Sequence, residues 1–443
     1  MERPSNLFWG ARRRKAQMVR AEGVYLWDTE GKRYLDGSSG PMTCNIGHGN
    51  KAVLAAMAEQ MQKGTFAMRL HFESDPAERL ATRLAGLAPG DLDQVFYCSG
   101  GSEAVDSALK LARAHALAVG QAQRWKVVSR FPAYHGCTMG ALSVSGYAPM
   151  SAPFAPMMVQ MPKIPAPRAY LDGLDMNDPA TGRHYADMLE AQILREGPET
   201  VLAFIHEPVG GASTGALVPP AGYMQRIREI CDSYGVLLIH DEVISGGGRV
   251  GTFFAGDIWG VTPDMITLSK GFGAGYMPLG AVILRGTIAE TVCDAANYLH
   301  GFTYGGNPLA AAAGLAVLDQ IEGGGLMANA LAMGDALRLR LDALRQRYEI
   351  IGDVRGMGLL QGFELVSDRD TMAPLPKDLN AYDRLVEIAY ANGLIIYARR
   401  SRGGLEGDHF LIAPPMIATP EHIEEIMEKL TVSLDRFVEE ARL

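Results

Sequence analysis

The amino-acid sequence predicts an α/β fold: a mainly parallel central sheet with flanking helices, joined to a smaller α+β domain. Three observations lead there. The chain has 443 residues, more than one compact core accommodates, so a large domain and a smaller one are expected. From about residue 52, short apolar runs rich in β-branched residues recur, among them "DQVFYCS", "WKVVSRF", "TVLAFIH", "GVLLIHDEV", "DMITLS" and "LGAVIL". Helical patterns lie between some of them, the order that covers a parallel sheet on both faces. Beyond about residue 320 the pattern changes to long helices and a few strands.

Taken in order, residues 20–36 alternate apolar and polar around Thr29-Glu30-Gly31, which reads as a β-hairpin. "SEAVDSALKLARAHALA" is a helix with its apolar stripe at Ala104, Ala108, Leu111 and Ala112. "YMQRIREICDSYG" is another helix between two strands. The C-terminal part reads as helix 329–347, strand 351–367, helix 380–391, a hairpin around "RGGLEGD" and a final helix 420–440. The expected organisation is an N-terminal segment and hairpin, 1–50, packing with the small domain, a large domain at 51–320, and the small domain at 321–443.

Composition narrows the function. Apolar residues are 48% and charged residues 21% of the chain, as in ordinary soluble globular proteins. A net charge of −9 argues against nucleic-acid binding, which needs a basic footprint. The run "ARRRK" at 11–15 is the exception and reads as a solvated or interface segment. No apolar stretch is long enough to span a bilayer, and residues 1–25 lack the apolar core of a signal peptide. Cys44, Cys98, Cys137, Cys231 and Cys293 are widely spread, without a CxxC pair. They suit reduced thiols in a cytoplasm. The ten histidines show no metal-ligand spacing, so no metal is expected.

In open parallel sheets, ligands bind at the carboxyl ends of the strands. "SGGSEA", "HEPVGG", "HDEV" and "SKG" all fall at such ends. In the first, Gly100, Gly101 and Ser102 put backbone N–H groups and a hydroxyl at a helix start, which favours a phosphate. The same residues also serve as a plain βα turn with Ser102 as N-cap. Asp241 and Glu242 end a buried run and could cap a loop or face a cationic ring nitrogen. Lys270 ends "TLSK" and is followed by Gly271, Gly273 and Gly275, which are expected to keep bulk away from a flat electrophile approaching its amine. "GGGRVG" (246–251) matches the dinucleotide fingerprint formally, but "TFFAGDIWGVTPD" follows where that motif needs a helix. A loop is expected there instead. Tyr134, after a strand, could stack on a ring or fill the core. A lysine, an acid, a phosphate cradle and an aromatic are together what pyridoxal phosphate requires of a protein.

With "EGVYLWDTEGKRYLDG", "IGHGN", "SGGSEAVDSALKLAR", "YHG", "EPVGG", "DEVISGGGRVG", "TLSKG", "PLGAV" and "FTYGGNPLAAAAG", the sequence resembles class III (subgroup II) pyridoxal-phosphate aminotransferases of fold type I over nearly its whole length. The resemblance implies that Lys270 forms the Schiff base with pyridoxal 5′-phosphate and that Asp241 pairs with the pyridine nitrogen. Val243 would pack beneath the ring and Tyr134 above it, with Gly101 and Ser102 on the phosphate. Glu207 would order the surrounding network. Thr303 would complete the phosphate site of a neighbouring subunit, which implies a homodimer with a shared active site, a tetramer remaining open.

Within the family, ornithine- and GABA-type members carry a second glutamate five positions after the first; here that position is Ala212. The resemblance therefore implies an ω-amino acid or amine as donor and a keto acid such as pyruvate as acceptor. Trp9 and Met42 would face the substrate. Met42 stands where many amine:pyruvate enzymes have an aromatic residue, and "GGG" (246–248) replaces "GFG". The acceptor's carboxylate calls for arginine, whose planar fork suits it. The expected arginine lies on the hairpin "GLIIYARRSRGGLEGDHFLIAPP", as Arg399 or Arg400, with Arg402 nearer the loop tip. Decarboxylating transaminases and amino-acid epimerases or mutases share the lysine and aspartate and remain as rivals. A nicotinamide-dependent oxidoreductase built on "GGGRVG" is the remoter one.

Overall fold

The computed structural model describes residues 6, 15–295 and 298–443. Trp9 and all of "ARRRK" except Lys15 therefore lie outside the described residues.

A seven-stranded sheet forms the centre, in the order Leu92–Cys98, Gly280–Arg285, Met265–Leu268, Leu237–Asp241, Val201–His206, Lys126–Phe131, Lys163–Pro165. Val201–His206 and Met265–Leu268 are buried at every residue. Covered on both faces, such strands read as unbroken apolar runs instead of alternating ones. The sheet is parallel from Met265–Leu268 through Lys163–Pro165. Gly280–Arg285, "LGAVIL" in the sequence, instead runs antiparallel to both of its neighbours. A parallel return needs a long crossover, usually a helix. The Ser269–Leu279 connection holds only the short turn Lys270–Phe272, so the chain doubles back.

Helix Gly101–Ala118 buries Ala104, Ala108, Leu111 and Ala112 against this sheet, as the periodicity predicts. Its N-cap is Gly100, not Ser102. No side chain caps the helix, while Glu103 reaches back to accept from the Ser99 N–H at 2.7 Å.

A second sheet begins with Met18–Glu22, Tyr25–Asp28 and Arg33–Asp36, one strand more than the expected hairpin. Arg33–Asp36 pairs in parallel with Leu394–Ile395, so the N-terminal strands join the C-terminal part of the chain. The third sheet is antiparallel, in the order Ile351–Met357, Leu360–Asp368, Asp408–Ile412, Tyr397–Arg400. The expected single strand 351–367 is thus a hairpin, turned at Gly358 with φ +51°. Helices Leu326–Arg347, Ala381–Ala391 and Pro420–Ala441 accompany it. One apolar core runs from Leu268 of the central sheet and Phe272 of the turn after it to Phe363, Phe410 and Leu394.

Residues 246–251 form a loop followed only by the short 3-10 turn Ala255–Trp259. Arg249, fully buried, donates to the carbonyls of Leu359, Ala413 and Pro414, to Ser39 Oγ and to Asn45 Oδ1, at 2.7–3.1 Å. That loop ties distant chain segments together and leaves no dinucleotide cradle.

Candidate active site

The strand ends converge on one cavity. Its lining includes Gly101, Ser102, Tyr134, His135, Gly136, Glu207, Asp241, Val243 and Lys270. Register explains the convergence: Asp241 lies beside Thr267 across parallel strands, and His206 beside His240, so consecutive strands stop at one level.

Lys270 sits at the tip of its strand with φ +44°, a left-handed conformation that costs a non-glycine residue roughly 1–2 kcal/mol. Such strain persists where the surroundings over-determine it, and it is concentrated at functional sites. Burial pushes the amine down to about 8, against the opposing pull of Asp241 and Glu207. An amine tuned this way is neutral in a useful fraction near neutral pH, as a nucleophile and proton carrier must be.

Asp241 Oδ2 lies 2.7 Å from His135 Nδ1, and Oδ1 accepts from the Val243 N–H at 3.1 Å and Thr267 Oγ1 at 3.2 Å. These contacts aim the carboxylate into the cavity. Glu242, its neighbour, turns away and accepts from Ser245 Oγ and the Gly256 N–H. Glu207 Oε1 accepts from the Gly211 N–H at 3.1 Å, and burial raises its pKa. Glu207 Oε2 and His135 Nε2 are buried without a hydrogen-bond partner. At the other end, Ser102 Oγ accepts from the Cys137 N–H at 3.0 Å. A Cβ on Gly136 would stand 2.6 Å from that Oγ, and one on Gly101 would stand 2.9 Å from Val243. Only glycine permits this closeness.

A wider outer cavity adjoins the first, with Tyr134 and Lys270 lining both. Its other walls are Pro41, Met42, Tyr147, Met150, Ala212, Ser213, Tyr397 and Arg399. Arg399 stacks over Tyr397, its guanidinium 4.8 Å from the ring centre. Arg400, the next residue on the strand, faces the opposite side. It donates to Lys377 O and Asn380 Oδ1 and stacks on Tyr382, so it is not brought to the cavity. Arg402 is likewise spent on Met372 O. Thr303 is exposed and lines neither cavity.

Sequence reasoning missed His135 and Thr267 around Asp241, and Tyr147 and Met150 in the outer wall. "YHG" carried the only signal for His135, and it drew attention to Tyr134. The glycines after Lys270 also have another reason than the one expected. A Cβ on Gly271 would meet Asn45 Nδ2 at 2.1 Å, and one on Gly273 would meet Met277 O at 2.9 Å. The protein's own chain, not an approaching electrophile, crowds them.

Pyridoxal phosphate suits this donor set. The helix start leaves N–H groups for a phosphate, Asp241 offers a buried carboxylate to the inner cavity, and Lys270 offers an amine that lines both cavities. Among the described residues no helix is long and apolar enough to cross a membrane, and no cluster could hold a metal.

Comparison with known proteins agrees. The class-III aminotransferase family model matches residues 10–434. A putrescine–pyruvate aminotransferase of Pseudomonas aeruginosa is 34% identical over 423 residues, covering 95% of this chain and 90% of that one. A solved (S)-enantioselective omega-transaminase from Thermomicrobium roseum superposes with a TM-score of 0.90 at 38% identity, covering 96% of this chain and 94% of that one. An amine transaminase from an uncultivated Pseudomonas species, described as PLP-bound, gives a TM-score of 0.91 at 34% identity, covering 98% and 99%. The chain belongs to the class-III aminotransferases, enzymes of fold type I that use pyridoxal 5′-phosphate.

Proposed function

We propose that this aminotransferase takes the amino group from a primary amine or ω-amino acid and delivers it to a short keto acid such as pyruvate. The observation that carries this reading is the outer cavity. Its walls are mostly apolar and aromatic, and apart from Lys270, Arg399 is the one cation lining it among the described residues. Ala212 puts no carboxylate opposite that arginine. The chamber thus has room for an alkyl or aryl amine and one anchor for an acid.

Bound pyridoxal phosphate supplies the aldehyde that accepts the amino group and the ring that draws electrons from substrate Cα. The residues around it would act as follows. Gly101 and Ser102 hold the phosphate end, Val243 and Tyr134 flank the ring, and Asp241 keeps its nitrogen protonated through opposite charge. His135 and Thr267 hold Asp241 in place. Lys270 would carry the cofactor covalently, and its freed Nζ would shuttle a proton from substrate Cα to the cofactor's C4′ in the first half of the cycle and in the reverse direction in the second. Glu207, with one carboxylate oxygen free of hydrogen bonds and 3.9 Å from Arg130 Nη2, would order the groups around the inner cavity.

Replacing Arg399 by Ala should weaken the pyruvate half-reaction by roughly tenfold or more, the worth of a charge-assisted hydrogen bond pair. The half-reaction of a carboxylate-free amine should change little, and Arg400→Ala should leave both near wild type. Stopped-flow measurement of the two half-reactions checks this; equal sensitivity of both to Arg399→Ala would remove the arginine from carboxylate binding.

The active unit in this reading is a homodimer whose sites are completed across the interface. Thr303 supports it, being exposed and outside both cavities of its own chain. So do the exposed Phe66, Leu70 and Phe72, at 50%, 83% and 72%, because large contiguous apolar exposure marks interfaces. Heterodimers mixed from inactive Lys270→Ala and Thr303→Ala parents should regain part of the activity, since one site recovers both residues. An active monomer by light scattering contradicts it. All five cysteines are unpaired, which supports a reducing compartment such as the cytoplasm.

A further inference from the structure

We infer that His409 is a positioning residue that fixes the carboxylate-binding arginine against the opposite wall of the outer cavity; the inference rests on the reading of Arg399 given above. The two are direct cross-strand partners, Arg399 on Tyr397–Arg400 facing His409 on Asp408–Ile412. Residues directly opposite in an antiparallel pair share a face, with side chains about 5 Å apart at their roots. His409 is fully buried on that face.

Its ring spans two pieces of chain that line or carry the cavity. Nε2 lies 2.7 Å from Ala212 O, and Nδ1 lies 3.0 Å from Ser401 Oγ. A carbonyl oxygen only accepts, so Nε2 bears the hydrogen. Burial, reinforced by Arg355, pushes His409 down to about 4, so it is neutral and carries that hydrogen alone. Nδ1 then accepts from the Ser401 hydroxyl. One ring thereby joins the wall residue Ala212 to the hairpin turn two residues beyond Arg399.

The next strand extends the same row. Glu364 faces His409 from Leu360–Asp368, and its Oε2 pairs with Arg355 Nη2 at 2.9 Å. Arg355 Nη2 also donates to Thr214 O at 3.1 Å. Ala212 and Thr214 belong to one loop, so two of its carbonyls are bound by side chains of the C-terminal sheet. Gly215 in this loop has φ +65°, and a Cβ there would meet Arg355 Nη2 at 2.6 Å and His409 Cδ2 at 2.8 Å. The loop is seated as closely as glycine allows.

The consequence is directional. Without the His409 N–H, Ala212 O loses its partner inside the protein, and an unsatisfied carbonyl on a half-buried wall is costly enough to move a loop. The Ala212–Ser213 wall and the Arg399 hairpin would then shift relative to each other. An acid held by its carboxylate depends on that spacing; an amine without a carboxylate does not.

The test uses the cofactor-loaded enzyme with pyruvate and with an alkyl monoamine lacking a carboxylate, each half-reaction measured alone. His409→Phe should raise KM for pyruvate about tenfold while kcat and KM for the monoamine stay near wild type. His409→Gln, which keeps an N–H for Ala212 O, should recover most of the difference. Ser401→Ala, a milder change, should move pyruvate KM in the same direction by less. If His409→Phe does not fold, Ser401→Ala against wild type still decides. Losses spread equally over both half-reactions, or an unchanged pyruvate KM, would overturn the inference. Arg399→Ala separates it from its premise: an unchanged pyruvate KM there removes the arginine reading itself. A raised KM there, with His409 and Ser401 variants at wild-type values, removes only the clamp.

Discussion

Lys270→Ala is expected to lower amino transfer by roughly 10⁴-fold or more, since in the proposed cycle the change removes both the covalent attachment and the general base. The amine has no nearby substitute. Lys270 is the one lysine lining either cavity among the described residues, and the flanking cavity residues Tyr134 and Asp241 cannot take over its role. Burial raises the tyrosine pKa to about 12, far above the range of a base at neutral pH. Added primary amines of small size should restore part of the rate, because the missing group is a mobile proton carrier. Size-exclusion and melting data should remain close to wild type, as alanine keeps the Cβ and so tolerates φ +44° as the lysine does, and leaves no hydrogen-bond partner unpaired. Steady turnover in Lys270→Ala without added amine would remove the residue from the reaction.

Asp241→Asn should cost nearly as much. Removing one member of a buried charged pair costs about 3–5 kcal/mol, which at about 1.4 kcal/mol per decade is roughly 10²–10⁴ in rate. The amide also presents an N–H to donors that the carboxylate now serves: His135, the Val243 N–H or Thr267. Glu242→Gln is the control. That side chain is held by Ser245 and Gly256 and lines neither cavity, so it should affect stability more than rate. Near wild-type kinetics in Asp241→Asn, measured with cofactor saturating, would assign the ring-nitrogen partner elsewhere.

What was legible in the sequence follows from the range of the interactions involved. Lys270, Asp241 and the Gly101–Ser102 turn stand at strand ends, and strand ends announce themselves locally through apolar runs that stop. The stripe of helix Gly101–Ala118 was readable for the same reason. Strand direction was not: "LGAVIL" has the composition of a buried parallel strand, and only its short connection betrays the reversal. His135 escaped because a histidine gains its meaning from a carboxylate distant in sequence, Asp241, reached only when the strands align. Ser102 and Gly100 compete for the N-cap within two residues, where helix boundaries are least determined by sequence. Arg399 and Arg400 are equivalent in composition; pleating alone separates them, and the phase of a short strand is hard to set without its partner. Trp9 lies outside the described residues.

In the proposed cycle one substrate leaves its amino group on the enzyme before the second arrives. Cofactor-loaded enzyme mixed with an ω-amine, in the absence of any keto acid, tests it in a single experiment. The visible absorbance of the bound cofactor should be lost with release of one carbonyl product per site, and pyruvate added afterwards should restore the absorbance and yield one equivalent of alanine. Carbon dioxide release, racemised amine without a carbonyl product, or no change until both substrates are present would rule out this amino-transfer cycle.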